Sequence, residues 1–376
     1  MKKTVHIVAF DVPYPADYGG VIDIYHKIRT LHHLGIQVIL HCFQYGRPES
    51  AELKSICKKV YYYKRSKYKN PFIGDTPYIV STRNDEQLLI NLCKDQHPII
   101  FEGIHCTYFL NHEKLRQRIR LVRNHNIEHD YYKNLELVET NYFKKYFFRN
   151  ESDKLKTYEK HLKNATHVLA ISPPDHQYLN KKYHNSVLVP AFHSNDQIES
   201  KEGKGKFILY HGNLAVGENN YAALYLVKEV FSKLSIPCTI AGNHPSDELK
   251  KACLKYPHIK LVDHWSNEQI MEAISKAHIN VLPTFQGTGI KLKLLNALYC
   301  GRFCIVNPIM VHQTTLEKAC IISETADDMV ADINQYWQTS FSTDHLMARK
   351  QILENSLFSN QANGTVIARL LEGEKG

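Results

Sequence analysis

Short apolar runs alternate with amphipathic stretches along nearly the whole chain, and this alternation restricts the fold more than any other feature. His6 to Phe10 is an apolar run ending in the loop Val12-Pro-Tyr-Pro-Ala-Asp-Tyr-Gly-Gly20. Ile22, Tyr25, Ile28, Leu31 and Leu34 follow at three- and four-residue spacing, the period of a helix with one buried face. Gly35 predicts the end of that helix, and Val38–Phe43 reads as the next strand. Ile99–Phe101, Ile119–Val122 and Val168–Ile171 read as further strands. Strands that are almost continuously apolar imply parallel sheets covered on both faces by helices.

The pattern pauses at His193–Lys206, a polar stretch ending Glu-Ser-Lys-Glu-Gly-Lys-Gly-Lys, which reads as a linker. It restarts with Phe207–Tyr210, a helix near Tyr221–Leu234, Cys238–Ala241, a helix over Asp247–Tyr256, and Ile259–Val262. Ser266 and Gln269 have the spacing of a capping box at the next helix start. Ile279–Leu282, a helix through Leu298, and Phe303–Val306 complete the series. Each half therefore reads as one doubly wound, Rossmann-like α/β domain, the first over residues 1–195 and the second over 206–350. Two such domains, expected to face each other across a cleft, suit a chain of 376 residues.

Composition narrows the class further. At 43% hydrophobic and 23% charged residues the chain is ordinary globular protein, which excludes disordered and collagenous classes. No apolar run approaches the ~20 residues of a membrane span, and the stretch after Met-Lys-Lys reads as a strand, not a signal peptide. Nine cysteines without a Cys-x-x-Cys pair imply reduced, mostly buried thiols and a cytoplasmic location. The formal charge of +9 suits an anionic partner, but the basic residues are spread out and nucleic acid is not expected.

In open parallel sheets ligands bind at the carboxyl ends of the strands, beside helix N-termini. That rule nominates Gly19-Gly20, Glu102 to His105 and Arg123-Asn-His-Asn126 in the first half. In the second half it nominates His211-Gly212-Asn213, Gly242-Asn243-His244 and Gln286-Gly287-Thr288-Gly289. Each loop alone reads as ordinary turn residues; six together read as a binding edge. The most specific segment is Pro283-Thr-Phe-Gln-Gly-Thr-Gly-Ile-Lys-Leu-Lys-Leu-Leu-Asn-Ala-Leu-Tyr-Cys-Gly301. A glycine turn opening a helix that carries Lys291 and Lys293 combines backbone N–H groups, a positive dipole end and two ammoniums into a diphosphate cradle. It has neither P-loop spacing nor the third glycine of the dinucleotide fingerprint, which argues against a nicotinamide-dependent dehydrogenase.

This segment resembles the donor-binding helix of retaining glycosyltransferases of the GT-B fold, the family often called glycosyltransferase family 4. The resemblance extends to Pro15-Ala-Asp-Tyr-Gly-Gly20, Arg123-Asn-His-Asn-Ile-Glu128 and Val168-Leu-Ala-Ile-Ser-Pro-Pro-Asp175, and so covers nearly the whole chain. It implies metal-independent, retaining transfer of a sugar from a nucleotide-diphosphate sugar to a glycan or lipid-linked acceptor, as in polysaccharide biosynthesis. The first domain would hold the acceptor and the second the donor, with a final helix at 351–371 crossing back. By the same resemblance Gly19 and Gly20 would lie near the donor diphosphate, His105 would face the transferred sugar, and Lys293 would neutralise the leaving group. His211, Gly212, Asn213, Gly242, Asn243, Gln286, Gly287, Thr288, Gly289, Lys291 and Asn296 complete the donor side. Tyr14, Asp17, His125 and Glu128 are the acceptor-side candidates.

Two positions depart from the family pattern. Asn296 stands where a glutamate usually holds the ribose hydroxyls, and an amide cannot act as a charged bidentate acceptor. Gln286 or Gly287 stands where a second glutamate usually lies near the sugar. These departures keep open a degenerate, non-catalytic subunit, beside a nucleotide-sugar epimerase of similar architecture. Glu102 reads either as a base or nucleophile, or as a hydrogen-bonding residue of the cleft. No Asp-x-Asp and no ligand-spaced cluster stands out among 22 histidines, so neither metal nor cofactor is expected. His125 and His129, four apart, would share a helix face as metal ligands do, but packing or surface roles are the favoured reading. Finally, Lys58-Lys-Val-Tyr-Tyr-Tyr-Lys-Arg-Ser-Lys-Tyr-Lys69 is basic and aromatic and reads equally as a strand Val60–Tyr63 followed by a solvated loop. Asn141-Tyr-Phe-Lys-Lys-Tyr-Phe-Phe-Arg149 reads as the start of an amphipathic helix, and the two together suit peripheral contact with the inner face of a membrane.

Overall fold

The computed structural model describes residues 3–66, 69–139, 141–285, 292–354 and 356–373. The chain divides into two compact units, Met1–Ser194 with Asn360–Gly376, and Asn195–Ser359.

The first unit is built on β1 (Thr4–Ala9), β2 (Gln37–Gln44), β3 (Lys59–Lys64), β4 (Ile99–Glu102), β5 (Arg120–Asn124), β6 (His167–Ala170) and β7 (Ser186–Leu188). They form one sheet in the order β3-β2-β1-β4-β5-β6-β7, and every pairing is parallel. All six residues of β1 are buried, as a strand covered on both faces requires. The Gly19–His33 helix returns the chain to β2 and ends where expected: Gly35 takes φ +77°, and its N–H donates to the His32 carbonyl at 2.9 Å. The Asn360–Leu370 helix packs on Gly19–His33 and adds Ile367 and Leu370 to the core. Gly364 permits that close approach, since a Cβ there would lie 2.6 Å from Thr30 Cγ2.

The second unit contains β8 (Ile208–His211), β9 (Cys238–Ala241), β10 (Ile259–Val262), β11 (Ile279–Val281), β12 (Phe303–Val306) and β13 (Ile321–Ile322). Its order, β10-β9-β8-β11-β12-β13, repeats the winding of the first sheet, again all parallel. Each sheet thus reverses direction once, between β1 and β4 and between β8 and β11. Those two switch points are where a doubly wound sheet opens a crevice for ligands.

Two expectations need correction. The 351–371 helix is two helices, Thr343–Glu354 in the second unit and Asn360–Leu370 in the first. Ser356 explains the break: its hydroxyl donates to the Leu353 carbonyl and accepts the Phe358 N–H, replacing helical hydrogen bonds. His125 does not share a helix with His129, because the Glu128–Val138 helix begins three residues after His125. Val60–Tyr63 lies within β3, as the strand reading of that stretch has it: Tyr63 is buried, and Tyr62 Oη accepts the Ser50 N–H. The helix predicted from Asn141 is present as Tyr142–Tyr158, with Asn141 as its N-cap.

Candidate active site

At the β1/β4 switch point five ionisable side chains are packed out of water. Asp23 and Lys27 lie one turn apart on the Gly19–His33 helix, Glu102 ends β4, and Arg123 and His125 come from β5 and its exit. Lys27 Nζ donates to Asp23 Oδ2 and to Glu102 Oε2, each at 3.0 Å. Arg123 grips Asp23 with two bonds, at 2.7 and 3.0 Å, and His125 Nε2 lies 3.1 Å from Glu102 Oε2. Burial alone would raise the Asp23 carboxyl, but Arg123 and Lys27 outweigh it and hold the group well below the usual carboxylate range. Asp23 also accepts the Phe192 N–H at 2.9 Å, and Arg123 donates to the Val189 and Pro190 carbonyls, so the network fixes the segment leaving β7. Asp23, Glu102 and His125 are close enough to suggest a metal-ligand set. Lys27 Nζ already takes the place between the two carboxylates that a cation would occupy.

His105 follows three residues after Glu102. Its ring packs 5.3 Å from Phe10, which meets His125 edge-on at 5.5 Å. Burial, helped by the Arg83 charge, keeps the His105 imidazole neutral far below its ordinary range. Its Nδ1 has no hydrogen-bond partner among the described residues. Gly103, at φ +69°, makes room for it, since a Cβ there would come within 2.6 Å of that nitrogen. Glu128, three residues beyond His125, is buried, and desolvation pushes its carboxyl up to about 7. Asp17 is paired with Arg47, which also donates to the Pro15 carbonyl at 2.6 Å; Tyr14 rests on Tyr25 at 5.4 Å. Gly20 admits Phe10, whose ring would lie 2.6 Å from a Cβ, whereas Gly19 has open space.

The β8/β11 switch point in the second unit has a different character. Gly242 and Gly212 press backbone on backbone: a Cβ on Gly242 would fall 1.8 Å from the Gly212 carbonyl oxygen, so only glycine fits. Lys293, in the first described turn of the Leu292–Cys300 helix, donates to Asn219 Oδ1 at 3.0 Å and lies 5.6 Å from the Tyr210 ring centre. Among the described residues it makes no ion pair. Desolvation lowers its pKa, opposed only in part by Glu218. Glu218, in the first turn of the Gly217–Tyr225 helix, accepts from Thr284 Oγ1 at 2.5 Å and from the Phe285 N–H at 3.2 Å. Asn213 and Asn243 are exposed on the neighbouring loops. Asn296 accepts from Asn195 Nδ2 at 2.8 Å, so its carbonyl oxygen is already engaged. Gln286, Gly287, Thr288, Gly289 and Lys291 lie outside the described residues.

His211 makes this region sensitive to acid. Its Nε2 has no partner among the described residues, and burial followed by the Lys293 charge drives its pKa from 6.5 down to about 3. The folded unit therefore holds a neutral imidazole that the unfolded chain protonates below pH 6.5, so stability falls as pH falls through that window. From pH 7 to pH 5 the loss from His211 alone is expected to be ~2 kcal/mol. Urea midpoints at the two pH values should separate less in His211→Asn than in the wild type.

Sequence reasoning missed Asp23, Lys27, Phe10, Arg83, Tyr210, Glu218 and Asn219. The nomination of strand ends pointed at their neighbourhoods, but nothing local marked the side chains themselves.

Comparison with known proteins bears on the second unit most directly. Residues 205–339 match the family model Glycosyl transferases group 1. That stretch lies wholly within the second unit. A protein of Klebsiella pneumoniae, named only as an uncharacterized 44.6 kDa protein in a cps region, is 27% identical over 328 residues, 82% of this chain and 84% of its own. Among solved structures, sucrose-phosphate synthase from Thermosynechococcus elongatus superposes with a TM-score of 0.69 at 15% identity, covering 99% of this chain and 98% of that one. A Rickettsia africae glycosyltransferase gives 0.65 at 15% identity, covering 99% and 98%, and TarM gives 0.67 at 12%, covering 99% of both chains. At such identities the likeness establishes the fold: two Rossmann-like units of the GT-B glycosyltransferase type.

Proposed function

We propose that the chain transfers a sugar from a nucleotide-diphosphate sugar to a glycan or lipid-linked acceptor, with retention and without a metal. The observation that carries this reading is Lys293: a desolvated ammonium with no ion pair among the described residues, placed at a switch point beside neutral His211 and Asn219. A half-buried cation in that setting is stabilised by an arriving phosphate, and leaving-group charge grows in the transition state. Neutral His105, with an unpartnered Nδ1, suits a hydrogen bond to a sugar hydroxyl, while Glu102 acts by positioning His125 and Lys27. The Klebsiella relative's cps region accords with a role in polysaccharide assembly. One observation favours a second reading, a subunit that binds nucleotide without turnover: Asn296 replaces the usual glutamate and is spent on Asn195.

Release of nucleotide diphosphate from a panel of UDP, GDP, ADP and dTDP sugars separates the two readings. Release above background that persists in excess EDTA is expected, and His105→Ala should lower it ~10²-fold with little change in nucleotide affinity. Binding without any release or transfer would establish the second reading, and activity lost on chelation and restored by Mg²⁺ would overturn the metal-free one.

A further inference from the structure

The first unit also carries an exposed apolar surface outside the candidate site. At the tip of the hairpin formed by the Glu128–Val138 and Tyr142–Tyr158 helices, large apolar side chains stand in solvent. Tyr142 is 88% exposed, Phe143 87% and Tyr146 63%, with Leu137 at 67% on the preceding helix. The 71–73 loop extends the patch: Phe72 packs 5.3 Å from Tyr146, and Ile73 is 74% exposed. That loop is held in place, because Asn150 Nδ2 and Lys154 Nζ both donate to the Pro71 carbonyl, at 3.3 and 2.9 Å. Two further rings of the same helix are satisfied internally, with Phe147 against Tyr78 and Phe148 against Tyr132. The outer aromatics are therefore surplus to the core.

Charge identifies what covers them. Residues 142–149 hold Lys144, Lys145 and Arg149 and no acid, and all three cations are exposed without an ion pair among the described residues. Tyr142, Lys145, Tyr146 and Arg149 fall at i, i+3, i+4 and i+7, one helix face on which rings and cations alternate. Protein–protein interface cores exclude lysine, since its ammonium must be desolvated. A bilayer surface accepts the same mixture: rings enter the headgroup boundary while Lys and Arg stay at anionic phosphates. Glu136 and Glu139 lie at the end of the preceding helix; Glu136 is already paired with Lys133 at 2.7 Å. Among the described residues no helix is long and apolar enough to cross a membrane, so any attachment through this patch is peripheral.

We propose that this hairpin tip, with the 71–73 loop, docks the protein on an anionic phospholipid surface. The inference does not depend on the proposed chemistry, because its test needs no substrate. Full-length protein should cosediment with vesicles of equal parts phosphatidylcholine and phosphatidylglycerol, and far less with phosphatidylcholine alone. Tyr142→Ser with Phe143→Ser, and separately Lys145→Glu with Arg149→Glu, should each weaken binding about tenfold or more, with unchanged thermal unfolding because the side chains are exposed. Phe143→Trp should show a blue-shifted emission on adding the mixed vesicles. Absence of wild-type binding at low salt, binding indifferent to both double substitutions, or an unshifted Trp emission would overturn the proposal. So would a dimer that dissociates on Phe143→Ser, which would assign the patch to a second copy of the chain.

Discussion

Asp23→Asn is expected to destabilise the first unit by ~3–5 kcal/mol, the cost of leaving buried cations without their carboxylate. Lys27 and Arg123 would both remain out of water, the first with only Glu102 and the second with backbone carbonyls. In a unit of this size such a loss lowers the melting temperature by roughly 10 °C. Both tryptophans, Trp265 and Trp337, belong to the second unit, so intrinsic fluorescence follows that unit while far-UV circular dichroism follows both. The early transition should be visible in the dichroism and weak in the fluorescence. Arg123→Met is expected to cost a similar amount, and the double variant much less than the sum, because each change removes the other's partner. Strict additivity would show that the two residues act independently.

This network also shows why some of the site was legible and some was not. Cys238–Ala241, Ile259–Val262 and Phe303–Val306 coincide with β9, β10 and β12 because each is a short strand bounded by turn residues. The Ser266–Gln269 capping box forms as its spacing predicts. Such features depend on neighbours in sequence. The edge strands Ser186–Leu188 and Ile321–Ile322 do not; they exist only through their ladders to β6 and β12. Asp23 and Lys27, spaced i and i+4, look like an exposed ion pair on a helix. Their burial comes from Glu102, 75 residues beyond Lys27, and Arg123, 100 beyond Asp23. Lys293 was read from a motif, yet its partner Asn219 is 74 residues away and carried no mark of its own. Strand ends were enough to find the neighbourhoods; the polar partners required the topology.

Lys293→Ala is expected to weaken nucleotide-diphosphate binding roughly 10- to 150-fold, the loss of one charge-assisted contact of ~1.5–3 kcal/mol. Turnover should fall further, because the contact strengthens as the phosphate departs. Lys291→Ala should do less on both measures. The structure adds a test that affinity alone does not offer. In the free protein Lys293 is a desolvated ammonium whose pKa is pushed down, with an amide as hydrogen-bond partner. Its charge therefore costs stability until an anion arrives. Lys293→Met, which keeps the stem against Tyr210 and removes the ammonium, should raise the melting temperature of the free protein while lowering affinity in calorimetry. Wild-type affinity should also decline as pH rises toward the lowered pKa, since the neutral amine cannot attract phosphate, and Lys293→Met should lose that dependence. A lysine serving only to hold the Gly217–Tyr225 helix through Asn219 would behave in the opposite way, with stability falling and nucleotide affinity unchanged.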